Sequence, residues 1–420
     1  MFSGLKDRLF YGWVIVAAFF LAGATLWGIR FSFGVFFKSI ESEFLLTRAA
    51  TSAIFSVYMV FGSAFALLSG WALDRYGPRI ILSVMGLFAG LSLLLTSQAH
   101  SAWLLFVTYS LLLAMGSSAA YVVTMSTTLK WFDKKRGLAL GITSSGGGLG
   151  MVVMAPLATY LVDSLGWRGA FIVLGLMAWL IVIPLSQLLR NSPQEIGVLP
   201  DGIKSAFPDT GLPPVAVTNN NPPPVGLSLP QALKTRSFWL IVITWVFFAS
   251  AIFLVLTHIV PHATDIGFSA VEAAAVLSVI GGANIGGRVL MGAVSDKIGR
   301  NRTTIICLLS QALAMVWLIW VRELWMLYLF ALIFGFAYGG VGPSMAALIG
   351  DTFGLNRIGV IMGALEVGYG LGAAIGPVIG GLVYDISNNY FLAFLIGALT
   401  LLVAVMAVAL IRQEKPVALV

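Results

Sequence analysis

Apolar runs long enough to cross a bilayer recur along the whole chain, at about 10–37, 50–72, 79–98, 103–129, 138–162, 169–189, 237–260, 269–294, 303–321, 324–349, 359–383 and 390–411. A helical span needs about 20 such residues, and lipid offers no partner to an exposed backbone N–H or C=O. A chain patterned in this way has to close on itself as a bundle of helices, so an all-α membrane protein with twelve transmembrane helices is expected. The bulk composition agrees: 59 % of the 420 residues are hydrophobic and mean hydropathy is +0.97, above the usual range for soluble domains. The first run is too long for the core of a signal peptide and no small-residue cleavage site follows it, so it is expected to stay. The one cysteine, Cys307, lies inside a span, which excludes a disulfide framework within the chain.

The net charge of +7 points to nucleic acid only until it is mapped. Eighteen of the 24 Lys and Arg residues fall at the termini and in alternate connections. Lys38, Arg48, Arg168 and Arg322 fall in the other connections, and Arg30 and Arg288 fall within spans. The positive-inside rule then places both termini in the cytoplasm. The basic excess is a topology signal and implies no nucleic-acid partner.

One extended polar stretch interrupts the pattern. Residues 191–236 include Asn219–Asn221 followed directly by Pro222–Pro224, the composition of a flexible cytoplasmic linker. It divides the chain into a six-helix bundle at 1–190 and a second at 237–420. The halves repeat each other. GWALDRYGPR (Gly70 to Arg79) returns as GAVSDKIGRNR (Gly292 to Arg302), with Asp74 and Asp296 at a separation of 222 positions. Gly148-Leu149-Gly150 and Gly370-Leu371-Gly372, and Asp163 and Asp385, share that offset; Arg136 and Arg357 differ from it by one. Duplicated bundles that rock about a site at the midplane are the architecture of secondary transporters.

With these motifs the chain resembles the major facilitator superfamily along its whole length. Gly70, Asp74, Arg75, Gly77 and Arg79 fit that family's loop between spans two and three, with Pro78 in place of a usual basic residue. Two features are similar to the monocarboxylate and oxalate/formate carriers within it. One is YGWVIV (Tyr11 to Val16); the other is WFDKKRGLALGITSSGGGLG (Trp131 to Gly150) running into a glycine-rich fifth span. The resemblance implies two pseudo-symmetric six-helix bundles and alternating access. It also implies a gating role for the loop charges Asp74, Arg75, Arg79, Arg136, Asp296, Arg300 and Arg357, which otherwise serve topology and headgroup contact.

Three charges stand inside spans. Arg288 is the only charge between Ser269 and Val294 apart from Glu272 at the very start of that span. A guanidinium keeps its proton and is costly in lipid, so it has to meet a partner, a cavity or a ligand. It lies eight residues before Asp296, about 12 Å along the helix and near the midplane, with Asn284 one turn away on the same face. In the resembled carriers an arginine on this span anchors the substrate carboxylate, and an acid four residues earlier takes part in proton coupling. Here Arg288 stands at the anchor and Asn284 at the acid's place. Arg30, on the first span, either faces the cavity or snorkels outward; the carriers' basic residue falls at Phe31, about 100° away around the helix. Glu366 is near the midplane of the eleventh span, at the repeat position of Ser144. It is a group whose protonation follows its surroundings, and its expected partner is Arg288, either as a proton-coupling group or as one half of a fixed bridge.

Tyr121, Tyr338 and Tyr369 are candidates for hydroxyl donors and apolar walls, although tyrosines in such helices also serve as packing. His258, His262 and Asp265 gather near the outer end of span seven, too few ligands for a metal site. No Walker motif, nucleotide loop or Ser/His/Asp set is present, so neither an enzyme nor a cofactor is expected. The expected function is secondary transport of small monocarboxylates such as lactate or pyruvate, coupled to protons through Glu366, with a single chain sufficient. Alternatives are exchange of anions with Arg30 and Arg288 clamping a dicarboxylate, and efflux of drugs or cations on Glu366. The compact chain and short loops suggest a prokaryotic inner membrane.

Overall fold

A computed structural model describes residues 10–46, 48–202 and 226–411. The first crossing is α1 (Gly12–Phe31) continued by α2 (Phe33–Glu43). α3 (Arg48–Ser97) has 50 residues and would run about 75 Å if straight, over twice the apolar thickness of a bilayer. It does not run straight. Gly77 takes φ 78° and ψ 168° just before Pro78, a conformation open to glycine and strained for other residues, and the helix becomes two crossings.

The fourth crossing is pieced from α4 (Ala102–Leu105), a π-helical segment at Phe106–Leu112, α5 (Leu113–Ser117) and α6 (Ala120–Trp131). α7 (Arg136–Gln187) repeats the device of α3, with Gly166 at φ 69° and ψ 168°. After the short α8 (Leu229–Ala232) come α9 (Arg236–Asp265), α10 (Ala270–Ile298), α11 (Arg300–Leu318), α12 (Leu324–Phe353), α13 (Ile358–Ser387) and α14 (Phe391–Ala409). Among the described residues ten helical stretches are long and apolar enough to span a membrane, and two of them, of 45 and 52 residues, are double. The twelve expected crossings are all present.

The repeat seen in the sequence is also a repeat of contacts. A Cβ placed on Gly150 would stand 2.1 Å from the carbonyl of Ala24, and one on Gly372 would stand 2.0 Å from that of Val246. Both members of the second pair follow the first by 222 residues. Backbones can approach this closely only where side chains are absent, a common device of membrane helices. It seats α7 on α1 and α13 on α9 in the same way.

Between bundles the pairing is crossed: α3 packs on α13, and α7 on α10. Two seams result. Each is closed by a reciprocal glycine contact at the face where the Lys- and Arg-rich loops lie, called the basic face below. A Cβ on Gly70 would meet the Gly359 carbonyl at 2.2 Å, and one on Gly292 the Gly137 carbonyl at 2.3 Å.

The described ends of the linker pack on this face. Asp201 accepts from the backbone N–H of Asp133 and of Lys134 at 3.1 and 2.7 Å, and the Leu227 N–H donates to the Phe353 carbonyl at 2.8 Å. Residues 203–225 lie outside the described residues, as do both termini with Lys6, Arg8, Arg412 and Lys415.

Candidate functional site

Two small cavities lie between the bundles, one at each seam. The first is walled by Gly23 and Trp27 of α1, Tyr121, Thr124 and Met125 of α6, Thr143, Ser144 and Gly147 of α7, and Arg288 of α10. The second has Trp27 and Arg30 of α1, Tyr58 to Ala66 of α3, Ser118, Tyr121, and Glu366, Tyr369 and Gly370 of α13. Trp27 and Tyr121 belong to both walls and form the partition between them.

In the first cavity Arg288 is half-buried, and its Nε–H donates to the Asn284 Oδ1 at 2.8 Å. Its Nη1 donates to the carbonyl of Ser144 at 3.0 Å, across the seam. Both acceptors are neutral. Among the described residues no carboxylate is bonded to this guanidinium. Asn284 is 4 % exposed and spends its oxygen on Arg288, which leaves its amide Nδ2 buried with no acceptor. Unpartnered buried donors are rare because each forfeits its hydration without return. A positive charge on the wall of a cavity, with a spare amide donor packed behind it, makes a place for an anion.

The expected pairing of Glu366 with Arg288 is not formed. Glu366 lies on α13, which packs on α3, whereas Arg288 lies on α10, which packs on α7; the two residues occupy different seams. The repeat accounts for this. Glu366 is the counterpart of Ser144 and Arg288 the counterpart of Ala66, each at 222 positions, so each seam carries one of the two charges beside the uncharged counterpart of the other. The charged neighbour of Glu366 is Arg30, whose side chain faces the cavity and does not snorkel. The Arg30 guanidinium sits over the rings of Trp27, Phe31 and Tyr58 at 4.9, 5.6 and 5.6 Å. Its Nη2 donates to the Met59 sulfur at 2.9 Å, and its Nε is buried without an acceptor.

Tyr121 turns its hydroxyl to the carbonyl of Gly342 at 3.1 Å, another bond between bundles, and packs edge-on against Trp245. Tyr369 lines the second cavity and also meets Trp245. Tyr338 lines neither cavity and packs on Phe248. His258, His262 and Asp265 stand apart from both, toward the opposite face. His258 donates from Nε2 to the Pro377 carbonyl and meets the Tyr390 hydroxyl through Nδ1, while His262 packs against Tyr390 and Phe394.

The loop charges separate into two groups at the basic face. Asp74 accepts from the N–H groups of Gly359 and Val360 at 3.1 and 2.9 Å, at the start of α13. Asp296 accepts from Gly137 and Leu138 at 2.7 and 3.0 Å, at the start of α7, and also bonds Arg300. Arg136 reaches across to Asp351 with an Nη1–Oδ1 distance of 2.5 Å, and Arg300 joins the same carboxylate at 3.4 Å. These bonds tie the bundles together, so this face is closed. The other expected gating residues do not bridge. Arg75 is exposed against Trp71 and Tyr76, Arg79 bonds Gln187 of its own bundle, and Arg357 is exposed at the start of α13. All three are exposed to solvent, which spacing in one strand of sequence does not reveal. Asp351 was missing from the candidates; the signal was an acid at the end of a span amid basic loops. Trp27 was missing too, although it stands one turn from Arg30.

A family model described as the Major Facilitator Superfamily matches residues 15–324 and 289–419. Monocarboxylate transporter 13 of Bos taurus is 25 % identical over 398 residues, covering 93 % of this chain and 87 % of that one. Monocarboxylate transporter 11 of Homo sapiens is 25 % identical over 395 residues, covering 92 % and 80 %. Among solved structures, the fucose:proton symporter of E. coli has a similar fold, with TM-score 0.73 at 13 % identity over 96 % of this chain and 98 % of that one. A human organic anion transporter gives TM-score 0.69 at 16 % identity over 94 % and 99 %.

Proposed function

Because this chain belongs to the Major Facilitator Superfamily, and is a multi-pass membrane transporter rather than an enzyme, we propose that it carries small monocarboxylate anions by alternating access. The observation that carries this reading is the environment of Arg288. Its guanidinium has neutral acceptors only, and the adjoining Asn284 amide is a buried donor without a partner. A carboxylate seated there takes two parallel bonds from the guanidinium and a third from the amide, the geometry in which arginine outdoes lysine. Trp27, Met125 and the ring of Tyr121 offer apolar walls to the rest of a small substrate. The names of the relatives from cattle and man point to the same substrate class.

Proton coupling belongs to the same proposal, with its partner changed. Among the described residues Glu366 is the one acid lining either cavity, and it takes up and releases the proton beside Arg30. The basic loops support cytoplasmic termini, and the compact chain with its short loops supports a prokaryotic inner membrane. A second reading, exchange of dianions, draws on the unpaired Nε of Arg30, which adds a second cation to the path.

The experiment is uptake of lactate into proteoliposomes. Arg288→Lys keeps the charge and loses the fork; a loss of about 2 kcal/mol, or roughly thirtyfold in kcat/KM, is expected. Unchanged anion uptake by Arg288→Lys and by Arg288→Gln overturns the assignment, and retained export of lipophilic cations by both favours cation efflux instead.

A further inference from the structure

The second cavity, at the α3–α13 seam, has no assigned occupant. Its donors are built and unused. The Arg30 Nε is buried without an acceptor, and so is the hydroxyl of Ser118 on the same wall. Arg30 is steadied by three aromatic faces and a thioether, none of which neutralises its charge. Glu366 comes to it from the other bundle and shares the cavity without an ion pair between them. In this closed form the cavity is small, about 30 Å3.

We propose that the α3–α13 seam is a second carboxylate-binding site, in which Arg30 holds the carboxylate and protonated Glu366 donates a hydrogen bond to it. The proposal rests on the carboxylate reading of Arg288 and extends it: each seam holds an arginine of its own, with Trp27 and Tyr121 between them. The charge balance sets the condition for filling the second one. With Glu366 ionised, Arg30 and Glu366 already cancel, and an incoming carboxylate meets a like charge. When a proton from solution adds to the Glu366 carboxylate, the seam holds one net positive charge and gains an O–H donor. A monoanion then restores neutrality, and no other bond is made or broken.

The other ionisable groups around Glu366 are Tyr58 from α3, Tyr121 from α6, Tyr369 from its own helix, Tyr338 from α12, and Arg288 beyond Tyr121. As a class, phenols and guanidinium groups keep their protons around neutral pH. The proton that opens the seam therefore sits on Glu366.

Calorimetric titration of the purified full chain with lactate at pH 5.5 and 7.5 tests this. Two lactates per chain are expected at the lower pH and one at the higher. Arg288→Gln is expected to keep one lactate at pH 5.5 and to bind at least tenfold more weakly at pH 7.5. Adding Glu366→Gln removes that pH dependence, and adding Arg30→Gln removes the binding. One lactate per chain at both pH values in the wild type overturns the second site and leaves the first intact, and binding that survives loss of both arginines overturns both. A wild-type chain that binds no lactate at either pH overturns the carboxylate reading and the second site with it. Melting temperatures of the variants identify any that fail to fold, and the wild-type stoichiometry decides the question without them.

Discussion

Asp74 and Asp296 make the same bond from opposite bundles: each carboxylate accepts the backbone N–H groups of two successive residues in the first turn of a helix across the seam. Gly359 and Val360 stand to Gly137 and Leu138 as Asp296 stands to Asp74, 222 positions on. Free N–H groups and the positive end of the helix dipole favour a carboxylate at such a place. Each bond holds the basic face closed and has to break when that face opens, which makes them a matched pair of latches. Asp296 is the more heavily engaged, because it also holds Arg300.

Neutralising one latch is expected to shift the balance between conformers. Asp74→Asn keeps the shape and loses the charge, a change worth about 1–2 kcal/mol by the usual size of charged bonds at helix starts. Distance measurements between spin labels on the basic face are expected to show a roughly tenfold rise in the open form, and more for the Asp74→Asn, Asp296→Asn pair. Distance distributions identical to wild type would show that the latches do not set the equilibrium.

A methyl group at the tightest approach is expected to act in the same direction by sterics. The Cβ of a Gly70→Ala chain would stand 2.2 Å from the Gly359 carbonyl oxygen, a backbone atom that cannot swing aside. Closure of the basic face then needs a backbone shift, so labelling of cysteines placed there is expected to quicken at least several-fold. Gly281→Ala makes a useful control, since a Cβ there meets nothing within 4 Å.

Asp351 is shared by Arg136 and Arg300, and the side chains of all three are largely shielded, at 22, 13 and 14 % exposure. Asp351→Asn leaves two guanidiniums short of a counter-charge. Arg300 keeps Asp296 and Arg136 keeps only the exposed Asp133. A fall in melting temperature is expected, corresponding to about 1–3 kcal/mol for a half-buried pair losing one partner. The loss is expected to shrink in an Arg136→Met, Asp351→Asn chain, where the orphaned charge is gone; equal melting temperatures in all three chains would remove Asp351 from the closure.

Glu366→Gln separates transport from coupling. A glutamine keeps the cavity's size but takes no proton, so accumulation of lactate driven by a pH gradient is expected to vanish while lactate–lactate counterflow persists. Gradient-driven accumulation that survives the change would place the coupling proton elsewhere in the chain.

Much of this protein is written in one dimension. Twelve runs of apolar residues oblige a helical bundle because lipid leaves no other way to satisfy the backbone, and a motif repeated at 222 positions obliges two halves alike. Arg288 could be singled out from the cost of its charge alone. What the sequence could not determine was which helix faces which. Glu366 and Arg288 look like natural partners at similar depth, yet the crossed packing of α3 on α13 and α7 on α10 sends them to opposite seams. Arg30 could face lipid or cavity by its position, and only the aromatic rings closing around it decide for the cavity. Hydropathy records how deep a residue lies in the membrane. Direction around the helix axis, and therefore partnership, is settled by glycine contacts between helices far apart in the chain, as at Gly70 with Gly359 and Gly292 with Gly137.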